Sequence, residues 1–230
     1  MIVLALESSA VTASVALCDG EKLLAQSFQN SGLTHSRTLL PMAEDLLKNC
    51  GKTLADVECI AVAAGPGSFT GLRIGIATAK GLAWAAALPC AACSTLEAMA
   101  WQMAHTDGEI CAVMDARRSQ VYNARFLAKD GVITRLTPDR AIGLSDLAAE
   151  LKKEQILVGD GGELCYNEFR KTGIKVKLAP PHLQYQTAWG VARLSLELAK
   201  KGELVPPEDL EPSYHRLSQA QRERIEKESR

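Results

Sequence analysis

MIVLALESSAVTASVALCDGEKLLAQSFQ, residues 1–29, holds three strand patterns in succession. Ile2 to Leu6 is an unbroken apolar run, as expected of a strand covered on both faces. Ala13 to Cys18 is a second run, Asp19-Gly20 favours a hairpin turn, and Lys22 to Phe28 returns as a third strand. The residues that follow alternate. A helix is expected from His35 to Cys50, closed by Gly51, then a strand from Glu58 to Ala63 and a glycine-rich loop. A long helix from Thr70 to Ala87, a short strand from Cys90 to Cys93 and a helix opened by Ser94 complete the first half.

The same order recurs. Ile110 to Met114, Val121 to Leu127 and Val132 to Leu136 read as three strands, the last two joined at Lys129-Asp130-Gly131. A helix at Ser145 to Lys152, a strand at Ile156 to Val158, a helix at Gly162 to Lys171, a strand at Ile174 to Leu178 and a helix at Thr187 to Lys200 follow. The pattern predicts an α/β chain of two ribonuclease-H-like domains in tandem, the arrangement of the actin/Hsp70/sugar-kinase-like ATPase fold. The expected division is 1–107 for the N-terminal domain, 108–217 for the C-terminal domain and 218–230 for a charged tail. Such a fold hosts many activities and fixes none of them.

Composition narrows the function classes. The 230 residues carry 26 Lys and Arg against 27 Asp and Glu, so no overall positive field exists to hold nucleic acid by its phosphates. The N-terminal apolar run has no basic lead and reads as a buried strand rather than a signal peptide. The apolar stretch around Gly81 to Cys93 is broken by Gly81 and Pro89 and is too short for a membrane span. Seven scattered cysteines suit a reducing cytoplasm. Cys90-Ala91-Ala92-Cys93 has no second ligand pair for zinc and follows a proline on a strand pattern, which favours a structural reading over a redox one.

The sharpest motif is GPGSFTGLRIG, Gly65 to Gly75, between a buried strand and a helix. Gly65 and Gly67 permit backbone angles closed to other residues, Pro66 stiffens the turn, and Ser68 or Thr70 can cap the helix. Free N–H groups at the helix start, with Arg73 one turn in, make an anion site conceivable. The motif is neither a Walker loop nor a dinucleotide fingerprint. Along the helix, Gly71, Gly75, Ala79, Ala83 and Ala87 recur at every fourth position. A ridge with so little side chain lets another helix approach closely, either inside the chain's own core or from a partner.

Here the chain resembles the TsaB family, also called YeaZ. The resemblance rests on Gly65 to Gly75, Thr34-His35-Ser36 with Leu39-Leu40-Pro41, Ser94-Thr95-Leu96, Asp115-Ala116-Arg117 with Val121-Tyr122, and Glu211-Pro212-Ser213-Tyr214. It implies a scaffold without an active site of its own. Such a scaffold binds TsaD and acts with TsaE to transfer threonylcarbamoyl from its adenylate to the adenosine beside the tRNA anticodon. It implies pairing through the two helices of the N-terminal domain. The expected contacts are His35, Leu39, Ala43, Leu46, Gly71, Gly75 and Ala79, with a homodimer in isolation and tRNA reached through the complex. On this reading Gly75→Leu abolishes partner binding and spares the fold.

Kinases of this fold open with an aspartate in a glycine-containing phosphate hairpin. Here that position is Glu7, followed by Ser8-Ser9, which also departs from the aspartate usual in the TsaB family. The equivalent in the second half is Asp115, with Arg117 and Arg118 where glycine would let phosphate approach. Gly161 and Gly162 resemble an adenosine loop and equally suit a tight turn before a helix. These four residues are weak nucleotide candidates, with no intrinsic cofactor expected and a nucleotide only at a composite site with a partner. The alternative function is an ATP-dependent small-molecule phosphotransferase of the same fold.

His35, His105, His182 and His215 lack a histidine partner four residues away, so no metal site is expected. No GxSxG elbow supports hydrolase chemistry, and Ser68 in Gly67-Ser68-Phe69 falls short of one. The basic residues Arg117, Arg118, Arg125, Lys129, Arg135 and Arg140 face Asp115, Asp130 and Asp139 in the same stretch, which suits a solvated face better than an RNA site.

Overall fold

The computed structural model describes residues 1–216. The tail expected from Ser218 lies outside the described residues. In chain order the elements are β1 (Ile2–Glu7), β2 (Ala13–Asp19), β3 (Lys22–Gln29), α1 (His35–Asn49), β4 (Cys59–Gly65), α2 (Phe69–Ala86), β5 (Cys90–Ser94) and α3 (Thr95–Gln102). They continue as β6 (Gly108–Asp115), β7 (Gln120–Lys129), β8 (Val132–Arg135), β9 (Arg140–Gly143), α4 (Leu144–Glu150), β10 (Gln155–Val158), α5 (Gly162–Lys171), β11 (Val176–Leu178) and α6 (Ala188–Lys200).

The first sheet runs β3-β2-β1-β4-β5 and the second β8-β7-β6-β10-β11. The strand order is therefore the same in both. In each, three antiparallel strands are extended by parallel ones. The strand β9, absent from the sequence reading, pairs with the start of β7. Its four residues, Arg140-Ala141-Ile142-Gly143, are too few to show a period.

Alternation along β1 sets the layers. Leu4 and Leu6 pack with Leu39, Ala43 and Leu46 of α1 and Ile76, Ala79 and Ala83 of α2. Val3 and Ala5, on the opposite face, pack with Ala188, Val191 and Ala192 of α6. On the second sheet, Ala112, Met114 and Phe126 meet Leu96 and Met99 of α3, while Cys111 and Val113 meet Leu147 of α4 and Phe169 of α5. Sequence order puts α3 with the first half and α6 with the second, yet each helix covers the other half's sheet. The two cross in the middle layer, where a Cβ at Gly190 would lie 2.2 Å from the carbonyl oxygen of Ala98. Glycine is required there for close approach.

The segment after α6 straps the first sheet. Val205 and Cys90 exchange backbone hydrogen bonds at 2.8 and 2.9 Å, which closes the free edge of β5. Leu210 is fully buried in the core under α2, and Ser213 N donates to the carbonyl of Ala64 at 2.8 Å. Cys90 packs on the α1–α2 side of β5 and Cys93 on the α6 side. Opposite faces keep the two thiols apart, and burial pushes both up, Cys90 to about 11.

Candidate functional site

The loop from Gly65 to Thr70 joins β4 to α2 and is locked by the turn after β1. Ser68 N donates to the Ser9 carbonyl at 2.6 Å, and a Cβ at Gly67 would lie 2.5 Å from that same oxygen. Gly65, at φ +138° and with a cis bond to Pro66, has the Ser213 carbonyl where a Cβ would stand. Ser68 caps α2, its hydroxyl accepting from Gly71 N at 3.3 Å. Arg73 lies over the Phe69 ring, its Cζ 5.2 Å from the centroid. Its Nε donates to the Tyr214 hydroxyl at 3.0 Å, and Tyr214 stacks on Phe69 with ring centroids 4.1 Å apart. Arg73 is thereby drawn to the exposed rim, not to an anion at the helix start.

The residues expected at a partner interface lie elsewhere than the sequence suggested. Leu39, Ala43 and Leu46 face the first sheet and are buried, as are Gly71, Gly75 and Ala79. A Cβ at Gly71 would meet the Ser8 carbonyl at 2.1 Å, and one at Gly75 would meet the Ser8 hydroxyl at 2.5 Å. The glycine ridge accommodates the end of β1, so no partner can reach it, and Gly75→Leu would break the fold instead of sparing it. His35 is half-buried, with Nε2 bonded to the Ala10 carbonyl at 2.8 Å. Outward lies a second ridge that the sequence reading missed. Ala77, Gly81 and Ala85 are exposed at the same fourfold spacing, beside Trp84, which is 59% exposed. Nothing lies within 4 Å of a Cβ built on Gly81. On α1, Leu40 and Pro41 face outward.

Between the two sheets a cleft of about 590 Å³ opens, lined among others by Ser9, Thr70, Asp115, Arg117, Asp160 and Arg216. The turn from β6 to β7 holds Arg117, Arg118 and Ser119 at φ of 60°, 55° and 55°. Three successive left-handed residues other than glycine are costly, at about 1–3 kcal/mol each. Arg117 N donates to Asp115 Oδ1 at 2.7 Å, and Arg216 donates to the Ala116 carbonyl. Asp160 accepts from Gln186 Nε2 at 2.8 Å, and burial lifts its carboxyl to about 6.

The weak nucleotide candidates divide. Asp115 lines the cleft, whereas Glu7 is fully buried behind it, accepting from Ser9 N at 2.6 Å. A Cβ at Gly161 would lie 3.1 Å from Asp115 N, and one at Gly162 would lie 2.3 Å from Gln184 Nε2. Both glycines admit the chain's own atoms where a side chain would otherwise stand. Of the basic stretch, Arg125 pairs with Glu109, Arg135 with Glu97 and Asp139, and Arg140 with Glu150. Ser213 Oγ and His215 Nε2 are 3.1 Å apart in the exposed strap, and no carboxylate among the described residues orients that histidine.

Two sheets of one strand order on either side of a cleft define an actin-like ATPase fold. The family profile described as "TsaD: tRNA N6-adenosine threonylcarbamoyltransferase" matches residues 25–200. The tRNA threonylcarbamoyladenosine biosynthesis protein TsaB of Bacillus subtilis (strain 168) is 37% identical over 154 residues, 67% of each chain. Its namesake from Escherichia coli (strain K12) is 30% identical over 222 residues, 94% of this chain and 95% of that one. The solved structure of YeaZ from Pseudomonas aeruginosa superposes with a TM-score of 0.79 at 26% identity, covering 93% of this chain and 99% of that one. The chain belongs to the TsaB (YeaZ) family.

Proposed function

We propose that this chain is a non-catalytic subunit in the threonylcarbamoyl modification of tRNA, binding TsaD directly and working with TsaE in the cytoplasm. The observation that carries the reading is the match along nearly the whole chain to a relative named for that biosynthesis. The phosphate-hairpin positions support a scaffold over a phosphotransferase, since Glu7 is buried away from solvent and Arg117 and Arg118 occupy the turn of the second half. A nucleotide then belongs only to a composite site completed by the partner. With a net charge of −1 and Arg125, Arg135, Arg140 and Arg193 already ion-paired, the chain reaches tRNA through the complex.

The docking face is the outward side of α1 and α2, around Leu40, Ala77, Gly81 and Trp84. An exposed tryptophan beside a low ridge suits a partner helix, and in isolation the same face pairs with a second copy. No helix among the described residues is long and apolar enough to cross a membrane.

Modification of unmodified tRNA by threonylcarbamoyl-adenylate tests the function. With TsaD and TsaE from the same organism, product is expected only when this chain is added, and none from the chain alone. Product in its absence, or nucleotide turnover by the chain alone, would remove the scaffold reading. The face has its own test. Gly81→Leu fills open space, so the melting temperature is expected to hold or rise, glycine being about 1 kcal/mol poorer than a good helix former. Affinity for TsaD is expected to fall at least about tenfold, the equivalent of about 1.4 kcal/mol. Unchanged binding by light scattering and calorimetry would place the partner elsewhere.

A further inference from the structure

The cleft between the sheets presents charges of both signs that do not neutralise each other. Arg117 and Arg216 line it together with Asp115 and Asp160. Among the described residues the only close contact between these groups is from the Arg117 backbone N–H to Asp115, while the Arg216 guanidinium holds the Ala116 carbonyl. Ion pairs elsewhere in the second half form readily, as Arg135 and Arg140 do with their carboxylates. Asp115 and Arg117 are exposed and Asp160 and Arg216 half-buried, so both signs of charge are open to a ligand that enters the cleft.

A second feature points the same way. Ser9 lines the cleft and is wholly buried, its hydroxyl lying beside the Glu7 carboxyl. The first turn of α2 borders the same space through Phe69 and Thr70, whose N–H groups precede the first intrahelical acceptors. Val11 and Met114 add apolar wall. The volume, about 590 Å³, lies within the range of small-molecule sites.

We propose that this cleft binds a small zwitterion of the amino-acid type. Its carboxylate lies against Arg117, Arg216 and the first turn of α2. Its ammonium lies against Asp115 and Asp160, and an aliphatic side chain rests on Val11 and Met114. A polyphosphate would meet both carboxylates, whereas a single negative charge carried beside a positive one matches both ends. The site is separate from the outward face of α1 and α2, so its failure and that of the partner face are distinguishable.

Calorimetry and saturation-transfer NMR on the full-length chain test it with individual L-amino acids, inorganic phosphate and AMP, each up to about 10 mM, a range that covers millimolar affinity. Saturable binding of at least one aliphatic amino acid is expected, with phosphate and AMP weaker. Arg117→Gly removes the guanidinium and suits the left-handed backbone, so the free protein is expected to melt no lower while affinity drops at least about tenfold. Asp160→Asn is expected to reduce affinity similarly, and circular dichroism reports whether it still folds. Absence of amino-acid binding at the highest concentration overturns the proposal. So does tighter binding of phosphate or AMP that ignores Asp160→Asn, or unchanged affinity in both variants.

Discussion

Glu7→Gln is expected to stabilise the chain at about pH 8 by about 3 kcal/mol, and to do little at about pH 4. Glu7 is wholly buried at the end of β1, and its carboxyl is lifted from 4.5 to about 7. Burial is the main cause; hydrogen bonding from Ser9 offsets part of it, and the Asp160 charge adds to it. The folded chain therefore keeps this proton to near neutrality, while the unfolded chain releases it near 4.5. Stability contributed by the protonated group is fully present below that lower value and is lost as pH rises through about 7. Asp160, lifted from 3.8 to about 6, acts in the same direction over a lower window. Glutamine keeps an oxygen for Ser9 N and never ionises. Its melting temperature is expected to exceed that of the parent by about 6–12 °C at alkaline pH and to converge with it in acid. Parallel pH profiles for parent and variant would show that Glu7 does not carry this proton.

Gly71→Ala is expected to destabilise by about 3 kcal/mol, an unusually large loss for one methyl group. The added carbon would stand 2.1 Å from the Ser8 carbonyl, while the Ser8 hydroxyl already donates to the Gly71 carbonyl at 2.9 Å. The start of α2 would have to lift from the end of β1, and the Ser68 N–Ser9 bond would go with it. The control is Gly81→Ala on the same helix, where the space is open and a gain of about 0.5–1 kcal/mol is expected. Urea unfolding of both measures the contrast. Similar midpoints would mean that the close approach of Ser8 is not what requires glycine.

These two glycines also mark how far the sequence could be read. Helical spacing says which residues share a face, so Gly71, Gly75 and Ala79 were recognisable as one ridge. It does not say what lies opposite, and the occupant, Ser8, comes from a strand end more than sixty residues earlier in the chain. The exposed ridge of Ala77, Gly81 and Ala85 has the same period and was passed over for want of any local sign of exposure. The repeated strand order was legible because alternation and continuous apolar runs are local properties. The exchange of α3 and α6 was not, because either helix presents an apolar face that either sheet could cover. Glu7 stood out as a departure from aspartate, but only the fold shows it sealed from solvent behind Ser9.

The strap and α6 impose an order of events during synthesis. One face of the first sheet, with Val3, Ala5, Ala16 and Ala61, is covered in large part by α6, which the ribosome makes only after the whole of the second sheet. The outer edge of β5 stays unpaired until Val205 arrives. The N-terminal half therefore leaves the exit tunnel with a greasy surface that α3 alone covers only in part, and with a bare strand edge. It completes its fold only once α6 and the strap have been made, and a chain stopped short of α6 is sticky rather than a free-standing lobe.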